Sequence, residues 1–338
     1  MTMTADQATD QATDQATDQA TDQATDQATD QATDQAGDHA ADHAGGLTRD
    51  RLQSLLASAC DRAGLAPGDA ELIKFTNNAV FRLRRAPVVV RIAGSSAARS
   101  RVPTVVRVAR WLADHDFPAV RLLPGCEQPL QVEGHLVTLW EHTPEVGPRP
   151  GGGDLAVLLR RLHRLPDPPV DLPEWAPMTE VRQRLDEPED LSEGDHAFLL
   201  DECDEVEERL AALDYALPAG VIHGDVFMGN VIAGPKGPVL CDFDSTGIGP
   251  REWDLAPVAV GRLRMDYPAD EHTSFAEGYG FDVTRWRGFP VLRRLRELKL
   301  VTSVLPVLRS NPGIRSQWEH RMRSFKARDQ TVRWQPYR

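Results

Sequence analysis

Apolar and polar positions follow two rhythms along the chain. Behind Thr48, a residue suited to capping, Leu52, Leu55, Leu56 and Ala59 recur at helical spacing and Gly64 closes the segment, which predicts a first helix. The period then drops to that of strands. Phe75, Val80-Phe81-Arg82-Leu83 and Val88-Val89-Val90-Arg91-Ile92 are separated by Asn77-Asn78 and by Arg85-Ala86-Pro87, a pattern of antiparallel hairpins. Val105, Val106, Ala109 and Leu112 predict an amphipathic helix from about Val102 to Asp116, ended before Pro118. Strands near Ala119–Leu123 and His135–Leu139 complete a small α+β unit expected over residues 47–142.

After the Pro- and Gly-rich stretch from Pro144 to Gly153 the pattern turns helical. Asp154 is expected to cap a helix with Leu155, Leu158, Leu159 and Leu162 on one face. Leu199, Cys203, Val206, Leu210 and Leu213 alternate spacings of four and three, and later helices are expected around Leu292–Leu308 and Trp318–Phe325. A larger, mainly helical unit over residues 143–338 follows from this pattern.

Residues 1–46 fit neither rhythm. From Ala5 to about Ala36 they repeat Asp-Gln-Ala-Thr, with too little apolar surface to offset the entropy of ordering, so a disordered tail is expected. His39 and His43 each stand at the Gln position of a decayed repeat unit, which favours repeat decay over a metal pair.

The tail also explains the charge. The 338 residues carry a net charge of −13, but ten aspartates fall at every fourth position from Asp6 to Asp42 where no Lys or Arg occurs. Without them 41 acids face 38 bases, a balance of −3 that offers nucleic acid no overall attraction. No apolar run approaches the ~20 residues of a membrane span. The opening MTMTADQATD lacks the basic and apolar segments of a secretory signal, so a cytoplasmic protein without membrane or nucleic-acid partner is expected. Cys60, Cys126, Cys203 and Cys241 form no CxxC pair and fit reduced thiols. Residues 186–208 hold twelve acids and no Lys or Arg, a pattern of a solvated helix face, with a funnel for a cationic substrate as the other reading.

The chemistry concentrates in Val221-Ile222-His223-Gly224-Asp225-Val226-Phe227-Met228-Gly229-Asn230 and in Val239-Leu240-Cys241-Asp242-Phe243-Asp244. The apolar runs 231–233 and 239–241 flank a Gly234-Pro235-Lys236-Gly237-Pro238 turn and should pair as a hairpin. Asn230 opens the first strand and Asp242 closes the second, so antiparallel pairing brings their ends side by side, next to the loop holding Asp225. Hard oxygen donors of this kind suit Mg²⁺, which takes few protein ligands and completes its shell with water and phosphate.

His223-x-Asp225-x4-Asn230 followed by Asp242 resembles the catalytic and metal motifs of the aminoglycoside phosphotransferase and choline kinase family, small-molecule relatives of protein kinases. The likeness extends from about Leu47 to the C-terminal region and takes in Leu162-His163, Asp242-Phe243-Asp244 and Gly249-Pro250-Arg251-Glu252-Trp253-Asp254-Leu255-Ala256. It implies a two-lobed α+β fold with a small antiparallel-sheet N-lobe and a larger helical C-lobe. It also implies transfer of the γ-phosphate of ATP, or GTP, to a hydroxyl of a small molecule, with an aminoglycoside-like or other cationic antibiotic among the expected acceptors. In that reading Asp225 is catalytic, Asn230 and Asp242 hold Mg²⁺, and His223 and Asp254 support the loop. Asp244 either extends the metal shell or faces solvent.

The nucleotide would be held without a P-loop or a complete G-x-G-x-x-G. The resemblance places Thr76-Asn77-Asn78-Ala79 over the phosphates, with Asn77 and Asn78 as candidate contacts. It puts Arg91 at the position of the family's lysine and Val137–His142, including Glu141, at the hinge beside the adenine. Trp140 is either interlobe core or an adenine neighbour. Arg in place of Lys, and a helix without the usual glutamate, keep a second reading open: a nucleotide-binding pseudokinase or regulatory module without turnover. No Ala-Pro-Glu segment follows Asp242-Phe243-Asp244, which ranks protein-kinase activity last.

Overall fold

The computed structural model describes residues 47–75, 78–169, 171–186, 190–309 and 311–337. The repeat tail with His39 and His43, and the candidate phosphate contact Asn77, lie outside the described residues. Helix α1 (Arg49–Arg62) begins where the Thr48 hydroxyl accepts the Arg51 N–H and ends before Gly64, whose backbone is left-handed at φ +65°. It buries Leu52, Leu55, Leu56, Ala59 and Cys60.

Strands β1 (Glu71–Phe75), β2 (Asn78–Arg82), β3 (Val88–Ala93), β4 (Leu130–Val132) and β5 (His135–Glu141) form an antiparallel sheet in the order β1-β2-β3-β5-β4. Side chains alternate across a strand, so Val88, Val90 and Ile92 of β3 enter the core shared with α1. Val89, Arg91 and Ala93 take the other face, where Ala93 joins Ala98, Val102 and Val106 of helix α2 (Ser96–Asp114) in one cluster and Val89 packs with Val105 and Ala109 in another. Register alone thus delivers Arg91 to the face that α2 covers.

Two expectations need correction here. Helix α2 starts at Ser96, six residues before the Val102 that periodicity gave, because the Ser95 hydroxyl caps it by accepting the Ala98 N–H at 3.0 Å. Pro103 lies inside the helix at the cost of one backbone bond. Residues 119–123 are no strand of the sheet; they make isolated bridges from Ala119 to Leu240 and from Leu122 to Trp140. Their place beside β5 goes to β4, a three-residue strand too short to show in the pattern. Trp140 is core: it packs with Val105 and Ala109, and its indole N–H donates to the Thr138 hydroxyl at 2.8 Å.

The second unit opens with α3 (Gly152–Leu162). Gly151 is its cap, and Asp154 sits three residues on, accepting the Gly151 N–H at 2.9 Å rather than capping the helix itself. There follow α4 (Thr179–Asp186), α5 (Glu193–Ala211), β6 (Gly220–Ile222), the hairpin β7 (Val231–Gly234) and β8 (Gly237–Leu240), and β9 (Gly247–Gly249), which pairs with β6. Helices α6 (Glu252–Arg264), α7 (Ala269–Tyr279), α8 (Phe289–Thr302) and α9 (Arg315–Lys326) complete the fold. The helix expected to reach Leu308 stops at Thr302, and residues 305–307 form a separate 3-10 turn.

The units share core. Val108, Trp111 and Leu112 of α2 pack in one cluster with the α3 leucines and Leu255 of α6. Residues 118–120 add backbone bonds to the hairpin: the Val120 N–H donates to the Leu240 carbonyl at 3.0 Å and the Leu240 N–H to the Pro118 carbonyl at 2.9 Å. Among the described residues no helix is long and apolar enough to cross a membrane.

Candidate active site

The loop between β6 and β7 carries Asp225, and buried polar groups fix its path. Gly224 has φ +85°, and a Cβ there would stand 2.1 Å from the Ser245 carbonyl oxygen, so this position requires glycine. Asp254, in the first turn of α6 and fully buried, accepts the His223 N–H at 2.7 Å, the Gly224 N–H at 2.8 Å and the His163 ring at 3.0 Å. Next to it the Trp253 indole donates to the Gly224 carbonyl at 2.8 Å.

Two histidines extend this web. The His163 Nδ1 meets the Tyr279 hydroxyl at 2.7 Å, so Tyr279 orients a ring rather than a ligand. His223 is also fully buried; its Nε2 meets the Cys241 carbonyl at 2.9 Å and its Nδ1 accepts the Asp225 N–H at 3.4 Å. Both contacts suit a neutral ring protonated on Nε2. His223 and Asp254 therefore brace the loop. The Asp225 carboxylate remains about two-fifths exposed and accepts one bond from the Arg296 guanidinium at 3.2 Å.

Hairpin pairing places Asn230 against the segment that leads into Asp242. Val231 is in register with Leu240, and the Cys241 N–H donates to the Asn230 carbonyl at 3.0 Å. The Asn230 amide nitrogen donates to the Asp225 carbonyl at 2.9 Å, which leaves the amide oxygen as the acceptor. Asp242 holds a left-handed backbone, φ +65°, a conformation uncommon for residues other than glycine and concentrated at functional sites. Burial pushes its carboxyl up, and the hydrogen bond with Asp244 and the Asp244 charge push it further, to about 7. Burial also opposes the Asp244 charge most strongly, but Arg91 and the hydrogen bond with Asp242 together hold that carboxyl below the usual range.

Two carboxyls joined by a hydrogen bond and an amide oxygen at one corner suit a hard divalent cation, which would replace the shared proton. Among the described residues no three His, Cys, Asp or Glu side chains gather into a metal-holding group. The donor set is of the sparse kind that Mg²⁺ shares with phosphates.

On the sheet side Arg91 forms an ion pair with Asp244, so Asp244 is drawn to a cation rather than to solvent. Asn78 opens β2 opposite Ala93. The Glu141 side chain is exposed and its N–H is already given to the Arg121 carbonyl at 2.8 Å, while the His142 N–H goes to Pro87 at 2.8 Å. Neither amide remains as a donor for a base.

Four residues at this site escaped sequence reading because they are distant in the chain and belong to no motif. Arg101 of α2, Arg184 of α4 and Lys299 of α8 all surround Glu180 of α4, and Arg296 of α8 reaches Asp225. The acidic stretch 186–208 supplies nothing comparable. Its Glu202 pairs with Arg294, Asp204 and Glu207 with Arg182, and Glu205 with Arg209 and Arg328. These four carboxylates are paired with cations rather than left open to solvent, as on a solvated helix face laced with ion pairs, and Glu187 and Glu189 lie outside the described residues. Glu277 is exposed on α7, Asp282 caps a 3-10 turn, and Trp286 stacks on Tyr215 at 5.7 Å. A hollow of about 370 Å³ between Trp175, Met178, Glu207 and Tyr215 shares no lining residue with the Asp225 cluster.

The family model described as "Phosphotransferase enzyme family" matches residues 73–297. No curated protein matches the chain. Among solved structures, an amicoumacin kinase in complex with AMP-PNP, Ca²⁺ and Ami superposes with a TM-score of 0.64 at 14% identity, covering 84% of this chain and 98% of that one. A choline/ethanolamine kinase family protein from Mesorhizobium loti gives 0.58 at 20% identity, with 82% and 93% covered. A spectinomycin phosphotransferase in complex with ADP and spectinomycin gives 0.54 at 16%, with 81% and 93% covered. The fold is thus the two-lobed, protein-kinase-like one, with a small antiparallel-sheet lobe and a larger helical lobe.

Proposed function

The chain belongs to the phosphotransferase enzyme family, and from that premise we propose that it moves the γ-phosphate of a nucleoside triphosphate, ATP in the first instance, to a hydroxyl of a small molecule. The observation that carries the reading is the convergence of Asp225, Asn230 and Asp242 through the β7–β8 hairpin and its Cys241-to-Asn230 bond. Phosphoryl transfer asks chiefly for an in-line hydroxyl and neutralised phosphate charge, and this corner holds groups for both.

Asp225 orients the acceptor hydroxyl and takes its proton as the oxygen bonds to the γ-phosphorus. The bond from that phosphorus to the β–γ bridging oxygen breaks, and the nucleoside diphosphate leaves. Mg²⁺, held by Asn230 and Asp242 with Asp244 beside them, supplies neutralisation of phosphate charge when bound. Arg91 offers two donors to phosphate oxygens once it releases Asp244. Asn78 lies on the strand that would cover the phosphates, and Glu141 ends β5 where the chain passes to the second unit. Domain limits at residues 47–142 and 143–338 fit this division between a nucleotide side and an acceptor side.

A second reading, a nucleotide-binding module without turnover, draws on the Arg91–Asp244 pair, which occupies both groups in this state. One experiment separates the two. Mg²⁺-dependent release of ADP is measured with the full chain across aminoglycosides, peptide antibiotics, amino alcohols, sugars and their phosphorylated or acidic derivatives, with Asp225→Asn as the control. Acceptor-dependent turnover lost in Asp225→Asn is the expected result; nucleotide binding without turnover on any acceptor supports the second reading.

A further inference from the structure

Beside Asp225 the charges do not balance. Arg101, Arg184, Arg296 and Lys299 bring four positive charges to a place where the carboxylates paired with them are Glu180 and Asp225, while Asp244, which also feels Arg101, is already paired with Arg91. Glu180 lies at the centre: Arg101 pairs with one carboxylate oxygen, while Arg184 and Lys299 both stand 3.6 Å from the other. Arg296 and Lys299 sit one turn apart on α8, so one face of that helix supplies a cation to each carboxylate. Both are largely buried, with side-chain exposures of 15% and 20%, so solvent screens them weakly.

The cluster is also under-compensated. Burial pushes the Lys299 ammonium below its usual range, and Glu180 offsets this only in part. Burial lowers Arg184 in the same way. Glu180 cannot neutralise three cations, and its own carboxyl shows the excess: burial works against its charge, yet Lys299, Arg101 and Arg184 hold it down at about 2. A cationic acceptor brought to Asp225 would meet net repulsion, whereas an anion would complete the charge pairing.

We infer that the acceptor carries an anionic group, phosphate or carboxylate, which docks on Arg184, Arg296 and Lys299 while its hydroxyl faces Asp225. This rests on the phosphotransfer reading above and names the class of its substrate. Arg101 comes from the small lobe, and its bond to Glu180 on α4 ties that lobe to the edge of the anion site.

The test uses the full chain and inorganic phosphate as the probe, titrated with and without Mg²⁺ and a non-hydrolysable ATP analogue. Phosphate is expected to bind with the analogue in place, and Lys299→Met and Arg184→Gln are each expected to weaken it about ten-fold or more. Thermal unfolding confirms that the variants fold, and Arg296→Gln serves if one does not. Binding that disappears when the analogue fills the γ-phosphate position assigns the cations to the nucleotide and overturns the proposal. So does phosphate binding that is absent, or that no variant changes.

On the wild-type protein, matched acceptors with and without their phosphate or carboxylate provide a second arm. The anionic member of each pair is expected to bind about ten-fold tighter or more, and the better class says which anion the site takes. Tighter binding of amine-bearing acceptors overturns the inference. Anionic compounds that bind without ADP release support the anion site and reject the phosphotransfer reading, so the two fail separately.

Discussion

Arg91 of β3 and Asp244, two residues beyond Asp242, are joined by an ion pair that links the sheet to the corner expected to hold the metal. In the proposed reading the guanidinium lies at the phosphate side yet is engaged, and a nucleotide competes for it with a carboxylate. Removing the cation leaves Asp242 and Asp244 facing each other alone. Arg91→Met is therefore expected to raise KM for ATP about ten-fold or more, while Arg91→Lys, which keeps the charge and loses the fork, stays within about ten-fold. Steady-state kinetics at saturating acceptor checks this; equal effects of both variants would remove Arg91 from nucleotide binding.

Asp225→Asn keeps the shape of the loop and removes the proton acceptor. The turnover number is expected to fall by about 10²–10⁴, with nucleotide affinity by calorimetric titration unchanged. A parallel loss of affinity would place Asp225 in binding rather than in chemistry.

Asp254 makes its contribution at a distance from the reacting atoms. Its two oxygens take three hydrogen bonds in a fully buried setting, and Asp254→Ala leaves the His223 and Gly224 N–H groups and the His163 ring without their acceptor. A loss of about 3–5 kcal/mol of stability is expected, read as a lower urea midpoint. An unchanged midpoint would show that the web is dispensable.

Glu180 gives the protein an acid sensitivity whose sign is fixed. Its folded carboxyl titrates at about 2 against an ordinary value of 4.5, so its contribution is fully present above about 4.5 and is lost as pH falls through about 2. Glu180→Gln is expected to lower stability at neutral pH, by leaving Arg101, Arg184 and Lys299 facing one another, and to flatten the stability profile between those limits. Denaturant melts from pH 2 to pH 7 test both effects; a variant profile parallel to the wild type would refute them.

Much of the site was legible because its residues are close in sequence and hairpin geometry folds them together: the Gly/Pro turn at 234–238 sufficed to bring Asn230 beside the strand leading to Asp242. Helix ends were less legible. Ser95 caps α2 well before the Val102 start that periodicity gave, and Gly151 outranked Asp154 as the cap of α3, since a cap is defined by one hydrogen bond and several nearby residues are able to make it. The partner of Arg91 was hidden for another reason. Its ion pair joins positions 153 residues apart, and no local pattern encodes such a contact. The acidic run 186–208 showed its charge but not its neighbours; Arg182, Arg294 and Arg328, which pair with Asp204, Glu207, Glu202 and Glu205, come from other elements.

In the proposed reading the groups nearest the reaction and the cations nearest the acceptor come from different elements. Asp225, Asn230 and Asp242 belong to one short stretch of loop and hairpin, braced from below by Asp254 and His163, whereas Arg101, Arg184, Arg296 and Lys299 are borne by the helices α2, α4 and α8. Such a layout lets the two evolve at different tempos. Helix faces can be rewritten one side chain at a time to suit a new compound while the hairpin stays untouched, and a laboratory selection for altered acceptors should find its gains on α2, α4 and α8 first.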